Sequence, residues 1–376
     1  MATTARLFQK TYLREFFMTL LCALGRPSPQ AELYEIDKTV FDADGKPVLI
    51  SDYHNFQETP FDLETILQQL PEAKFKKIAT FARTTIDSLR MLAFVQDHPG
   101  VIGLCMGELG EITRILAPVV GTPLMYAPED EKLATAPGQL TLQTLLETYH
   151  FRKLRVGTPI FGLIGDPVVQ SPGHIYHNAR LQGRGVYVKM RIQKEELADF
   201  FHWARKLPFH GLSVTTPHKK SALAFLDDLD PEAAAIGAVN TIVVQEGRWV
   251  GYNTDGLGAL KALGDVQEKR IAILGGRGGA GRAIAHEAKK QGSEVATIRR
   301  GETPGDYDIL INATGEDNPA EALPGTTVME LSLKTTTFLQ EAQKRGCHTI
   351  SGIEMYRHQA EFQLKLFLKT PQRFCQ

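Results

Sequence analysis

The feature that constrains the fold most is a short apolar run, Arg270-Ile271-Ala272-Ile273-Leu274, followed by Gly276-Arg277-Gly278-Gly279-Ala280-Gly281 and a helical pattern from Arg282. The apolar run reads as a buried strand. Glycines at three fixed positions let the chain turn tightly and bring its backbone close to a bound group. Strand, glycine turn and helix in that order imply a βαβ unit, and so a parallel sheet covered by helices. The start of such a helix presents free N–H groups to an anion. A pyrophosphate suits this turn, with Gly276, Gly278, Gly279, Ala280 and Gly281 around it.

About twenty residues on, the second strand, Glu294–Ile298, ends in Arg299-Arg300. An acidic residue there would bind a free ribose hydroxyl, whereas two cations suit a 2′-phosphate, so NADP is expected over NAD. A solvated basic turn is the plain alternative. The next apolar run, 308–314, ends in Thr314, also assigned to the cofactor side. Only nine residues, 299–307, separate the two strands. A parallel crossover with a helix normally takes more, so a loop is expected there.

Strand–helix alternation continues through the rest of the chain. Runs at 31–36, 47–51, 75–79, 101–105 and 123–126 read as five strands in the front half, and 160–164, 185–190 and 210–214 follow. This pattern predicts an α/β protein whose front half is a parallel sheet or part of a (β/α) barrel, since its five strands fall short of the roughly eight that a closed barrel uses. The basic stretch 147–158 ends in Gly157 and Thr158 and reads as a junction. A last helix is expected over 353–368.

With 376 residues the chain has room for about two domains. Its formal net charge of −1 provides no field to recruit nucleic acid or an anionic membrane. The four cysteines are scattered and form no CxxC pair, so neither a metal nor a disulfide framework is expected, and a cytoplasmic location fits. Tyr12, Phe16, Leu20 and Leu24 recur every four residues, which predicts a buried helix rather than an export signal.

Three further runs occur in order: Gly211-Leu-Ser-Val-Thr-Thr-Pro-His-Lys219, Ile236-Gly-Ala-Val-Asn-Thr241 and Gly251-Tyr-Asn-Thr-Asp-Gly256. Lys219 and Asp255 can exchange a proton with a substrate oxygen, with a structural ion pair as the plain alternative. Lys220 is expected on the opposite face of an extended segment. Ahead of a glycine turn, these runs resemble shikimate dehydrogenase. The resemblance implies a substrate lobe over 156–262, completed by 353–376, and an NADP lobe over 263–352. It makes Lys219 and Asp255 catalytic and gives Thr215, Asn240 and Gln359 to the substrate hydroxyls. Ser171 would serve the substrate carboxylate, while Gly173 stands where a second serine is common. For Asn240 and Gln359 an ordinary buried amide is the alternative. The run 330–334 lacks the family's more usual tyrosine and proline.

In the front half, Ile50-Ser-Asp-Tyr-His54-Asn-Phe, Lys77-Ile-Ala, Met106-Gly-Glu-Leu-Gly-Glu-Ile-Thr-Arg114 and Ala134-Thr135-Ala-Pro-Gly-Gln139 resemble type I 3-dehydroquinate dehydratase. The resemblance implies that residues 1–150 are part of a barrel in which Lys77 forms an imine and His54 moves the proton. Arg114 would bind the carboxylate, and Thr135 and Gln139 would cover the site. Lys74 and Lys76 compete with Lys77, and alternation puts Lys76 on the other face. The resemblance enters just before the fourth barrel strand. The acidic residue that orients the histidine in the family therefore has no counterpart, and dehydratase activity is expected to be weak or absent. A metabolite-sensing regulator without turnover and an NAD-dependent quinate dehydrogenase remain as alternatives. Small-molecule substrates are the expected partners.

Overall fold

The computed structural model describes residues 19–24, 28–36, 39–42, 44–299 and 305–369. They fall into two compact units, one within Met1–Val168 and Pro172–Phe209, the other within Val169–Ser171 and His210–Phe374.

The first unit holds β1 (Leu20–Leu24), β2 (Leu33–Ile36), β3 (Thr39–Asp42), β4 (Ile50–His54), β5 (Phe75–Phe81), β6 (Val101–Met106) and β7 (Leu124–Ala127). They form a four-stranded sheet in the order β3-β2-β1-β7 and a three-stranded one in the order β4-β5-β6. Only the β2–β3 pair is antiparallel. β8 (Ile160–Gly165) and β9 (Val186–Arg191) pair in parallel.

Residues 20–24 are therefore strand, where the four-residue spacing predicted helix; Tyr12 and Phe16 lie outside the described residues. The reason is local. Leu-Leu-Cys-Ala-Leu is a continuous apolar run, which suits a strand buried on both faces as well as it suits a helix. Here β1 is held between β2 and β7, with Leu21, Cys22, Ala23 and Leu24 all buried. The front half thus has seven described strands instead of five, β1 and the short β3 being the additions. The strand expected at 47–51 instead runs Ile50–His54, which brings Asp52 and His54 into the sheet.

The second unit holds β10 (Phe209–Val214), β11 (Asp228–Leu229), β12 (Thr241–Gln245) and β13 (Arg248–Tyr252), with β12 antiparallel to both β10 and β13. It continues with β14 (Arg270–Leu274), β15 (Glu294–Ile298), β16 (Ile309–Asn312), β17 (Thr327–Glu330) and β18 (His348–Ile350). These five form an all-parallel sheet in the order β15-β14-β16-β17-β18. The order reverses between β14 and β16, where an open α/β sheet binds its ligand. No helix lies between β15 and β16 among the described residues. The last helix runs Gly352–Lys369 and buries Met355, Gln359, Gln363 and Phe367.

The glycine turn needs its glycines. Gly275 sits at φ +79°, and a Cβ on Gly281 would lie 2.6 Å from the Gly275 carbonyl oxygen. Backbone cannot yield there as a side-chain tip could. Gly281→Ala is expected to destabilise the protein by about 1–3 kcal/mol, read as a lower midpoint in thermal unfolding. An unchanged midpoint would mean that the turn is looser than drawn.

Candidate active sites

In the second unit, β10 ends at Val214, and the chain passes through Thr215 into a short helix, His218–Ser221. Lys219 lies in that helix. Its Nζ donates to Asp255 Oδ2 at 2.5 Å. Asp255 opens the helix Asp255–Leu263, so its carboxylate also sits where helix N–H groups favour negative charge. The lysine side chain is 17% exposed and the aspartate 6%. The pair is thus shielded on the carboxylate side and reachable on the ammonium side. Lys220 does turn away, donating to the Arg277 carbonyl at 2.9 Å. The expected cause was wrong, since the segment is helical rather than extended.

Asn240 lies between β10 and the start of β12, and its amide is fully engaged. Nδ2 donates to Asp255 Oδ1 at 2.8 Å and to Thr254 Oγ1 at 2.9 Å. Oδ1 accepts from the Thr254 N–H and the Thr241 hydroxyl, both at 2.8 Å. A side-chain amide offers two donors and two lone pairs, so Asn240 is used up in holding Asp255 and Thr254. Gln359 differs. Its Oε1 accepts from the Thr254 hydroxyl at 3.3 Å and lies 3.2 Å from Asn240 Nδ2, whose two hydrogens point to Asp255 and Thr254. Its Nε2 has no partner among the described residues, which leaves two donors for a ligand oxygen. Thr215 and Ser171 are half-buried in the same unit.

The glycine turn meets this cluster. The position of a Cβ on Gly279 would lie 3.0 Å from Lys219 Cβ and Cδ. A dinucleotide fits the turn on one local observation: a Cβ on Gly276 would fall 2.7 Å from the Thr297 hydroxyl, so only glycine leaves the backbone bare there. Gly278 and Ala280 complete the helix start. Across the sheet reversal, Thr314 donates from its N–H and hydroxyl to Asn312 Oδ1, at 3.0 and 2.6 Å. Asn312 in turn donates to the buried Glu330 carboxylate at 2.8 Å. Arg299 is exposed after β15, and Arg300 lies outside the described residues.

The first unit contains a cavity of about 900 Å³ lined by Asp52, His54, Lys77, Arg114, Tyr126, Thr135 and Gln139, among others. Lys77 projects from β5 with Nζ 4.6 Å from the Tyr126 ring centre. Burial holds its pKa below the ordinary lysine value, against an opposing push from Asp52. Lys76 points elsewhere, pairing with Glu72 at 2.7 Å. Arg114 is only 2% exposed, and its Nε and Nη1 have no hydrogen-bond partner among the described residues. Burial lowers its pKa to about 10. A buried guanidinium without an anion is costly, and the cavity it borders is the natural place for that anion. Thr135 and Gln139 are tied to each other, with the Thr135 N–H donating to Gln139 Oε1 at 2.7 Å.

Several functional candidates were missed by sequence reasoning. Thr254 and Gln363 were among them. Gln363 donates to the Asn240 carbonyl and the Thr241 hydroxyl at 3.1 and 2.9 Å. Its signal was present: it follows Gln359 by four residues, on one helix face. Asp52 was missed too, although it precedes His54 by two residues on a strand and so shares its face.

The sequence pattern of the type I 3-dehydroquinase family matches residues 31–155. That of the shikimate dehydrogenase substrate binding domain matches residues 163–242. A chloroplastic bifunctional 3-dehydroquinate dehydratase/shikimate dehydrogenase of Arabidopsis thaliana is 32% identical over 95% of this chain and 70% of its own length. The shikimate biosynthesis protein AroDE of Chlamydia pneumoniae is 32% identical over 88% of this chain and 75% of its own. Among solved structures, a shikimate dehydrogenase of Thermus thermophilus in complex with NADP(H) and shikimate superposes with a TM-score of 0.51. It is 31% identical and covers 56% of this chain and 93% of its own. By its similarity over 95% of its length to a bifunctional relative, and by the two family patterns it matches in order, the chain belongs to the family of bifunctional 3-dehydroquinate dehydratase/shikimate dehydrogenases.

Proposed function

We propose that residues 156–376 interconvert 3-dehydroshikimate and shikimate with NADP, and that residues 1–150 dehydrate 3-dehydroquinate. The observation that carries the first part is the 2.5 Å contact between Lys219 and Asp255 beside a glycine-only turn. When bound, NADPH supplies the hydride; Gly276, Gly278, Gly279, Ala280 and Gly281 would hold its pyrophosphate, Thr314 would serve the cofactor side, and the cations of Arg299 and Arg300 would suit its 2′-phosphate. In the reductive direction Lys219 Nζ gives a proton to the developing alkoxide, and Asp255 Oδ2 keeps that ammonium aimed. Asn240 fixes Asp255 through Oδ1, while Gln359 Nε2 meets a substrate hydroxyl. Ser171 and Thr215 supply hydroxyls on the substrate side. In this reading 156–262 with 353–376 form the substrate lobe, 263–352 form the cofactor lobe, and 1–150 form the dehydratase region.

In the first unit, neutral Lys77 adds to the ring ketone, and the carbinolamine takes up one proton from solvent and loses water to give a protonated imine. His54 takes the proton from the adjacent carbon; the C–H pair becomes the C=C of an enamine as the C=N π pair moves onto nitrogen. His54 then returns that proton to the leaving hydroxyl, which departs as water. Hydrolysis of the imine restores the lysine. Arg114 pairs with the substrate carboxylate. Thr135 and Gln139 cover the ring. The unpartnered buried guanidinium of Arg114 and the desolvated Lys77 favour this chemistry over an inert remnant.

Borohydride treatment of the full chain with 3-dehydroquinate tests the second part. A reduced adduct on the peptide bearing Lys77, absent in Lys77→Ala, is expected in mass spectrometry. Labelling spread over surface lysines would contradict it. No helix among the described residues is long and apolar enough to cross a membrane; a cytoplasmic setting is part of the proposal.

A further inference from the structure

β4 and β5 run in parallel with Asp52 opposite Lys77. Strand alternation puts Asp52 and His54 on one face. Asp52 Oδ2 lies 3.1 Å from His54 Nδ1 and 4.0 Å from Lys77 Nζ. One carboxylate therefore faces both groups that the imine chemistry uses. We infer that Asp52 is the positioning residue for His54, supplied from two places earlier on its own strand. The inference rests on the reading of this cavity as an imine-forming site.

The chemistry follows from the two contacts. A carboxylate 3.1 Å from Nδ1 favours a proton on that nitrogen, which leaves the lone pair on Nε2. The same carboxylate steadies the imidazolium once Nε2 has taken a proton. His54 also stacks on Phe56 with ring centres 5.7 Å apart, which fixes the ring plane. Toward Lys77 the carboxylate works the other way. Its charge raises the lysine pKa, while burial, the larger effect, lowers it. The other charged or titratable groups bearing on Lys77 are Glu35 on β2, Cys22 on β1 and Arg114 on the helix Glu111–Ile115. Tyr126 on β7 lies against Lys77 as well. Glu35 and Cys22 push the lysine pKa up and Arg114 pushes it down. None of these is on β4, whereas Asp52 shares that strand and its face with His54.

Replacing Asp52 therefore has opposite effects on two steps of one reaction. Imine formation gains neutral amine, whereas proton abstraction loses its oriented base. A residue that only held the sheet together would depress both steps.

The experiment uses the full chain as wild type, Asp52→Asn and Asp52→Ala. Nitrogen-15 spectra of the imidazoles, with the His54 signal identified by its loss in His54→Gln, report the tautomer. Borohydride capture of 3-dehydroquinate on Lys77 reports imine formation, and enone absorbance reports turnover. In wild type, His54 is expected as the Nδ1–H form. In both variants it should become a tautomer mixture. Capture at neutral pH should be equal or greater, and kcat should fall about 10- to 100-fold with KM little changed. That is less than the full worth of a general base, because water screens a carboxylate 45% exposed. An unchanged tautomer, or capture and kcat falling together, overturns the role of Asp52 while leaving the imine reading intact. Absence of any Lys77 adduct in wild type sinks the imine reading, and the role of Asp52 with it.

Discussion

Lys219→Ala is expected to lower kcat for shikimate oxidation about 10²- to 10⁴-fold, the usual worth of a positioned proton donor. Affinity for NADP+ should change little, because the glycine turn is untouched. The substitution removes both the ammonium and its contact with a nearly buried carboxylate. Some loss of stability will accompany it, since Asp255 keeps its Asn240 contact but loses its counter-charge. Asp255→Asn separates the two effects. It keeps the shape and one acceptor oxygen, for Asn240, but turns the other oxygen into a donor and removes the negative charge that holds Lys219. A kcat loss in both variants, with folding intact by circular dichroism, identifies the pair as catalytic. Full activity in Lys219→Ala would reduce the pair to a structural ion pair.

Arg114→Met is expected to act in two directions at once. The wild-type guanidinium is buried and leaves two nitrogens unpartnered among the described residues. Such a group costs about 1–3 kcal/mol, so an apolar side chain of similar length should raise the thermal midpoint. Binding of a carboxylate substrate should suffer in turn. Losing one partner of a desolvated ion pair costs about 2–5 kcal/mol, which corresponds to roughly 30-fold or more in KM for 3-dehydroquinate. Stability and function moving apart is the signature of a residue kept for its ligand. A drop in thermal midpoint with unchanged KM would show that Arg114 serves the fold instead.

Much of this architecture was legible in the sequence, and the reasons are specific. The cofactor turn was clear because only glycine satisfies its contacts, as Gly276 against Thr297 and Gly281 against Gly275 show. The parallel pairing around it follows from strand–helix alternation. Lys219 and Asp255 were picked out because each sits in a short polar turn after an apolar run, and Asn240 by the family-like run between them; the structure brings the three side chains together. The sequence misled at Leu20–Leu24, where a five-residue apolar run carries no periodicity of its own and its partners, β2 and β7, decide that it is a strand. It was also silent on the state of each amide. Asn240 and Gln359 look alike as residues, yet the first spends every polar valence on protein groups and the second keeps its Nε2 free of any partner among the described residues. That distinction depends on Thr254, Thr241 and Asp255 arriving together from separate segments. Asp52 was overlooked because the histidine's acid was sought on a different strand, whereas period-two alternation already offered one beside it.

The most direct test of the central claim is a rate measurement on the full chain with shikimate and NADP+ as the only substrates. NADPH should accumulate in step with 3-dehydroshikimate, and the signal should vanish in Lys219→Ala. Binding of both ligands with no NADPH formed would contradict the account and point to a protein that senses these molecules without converting them.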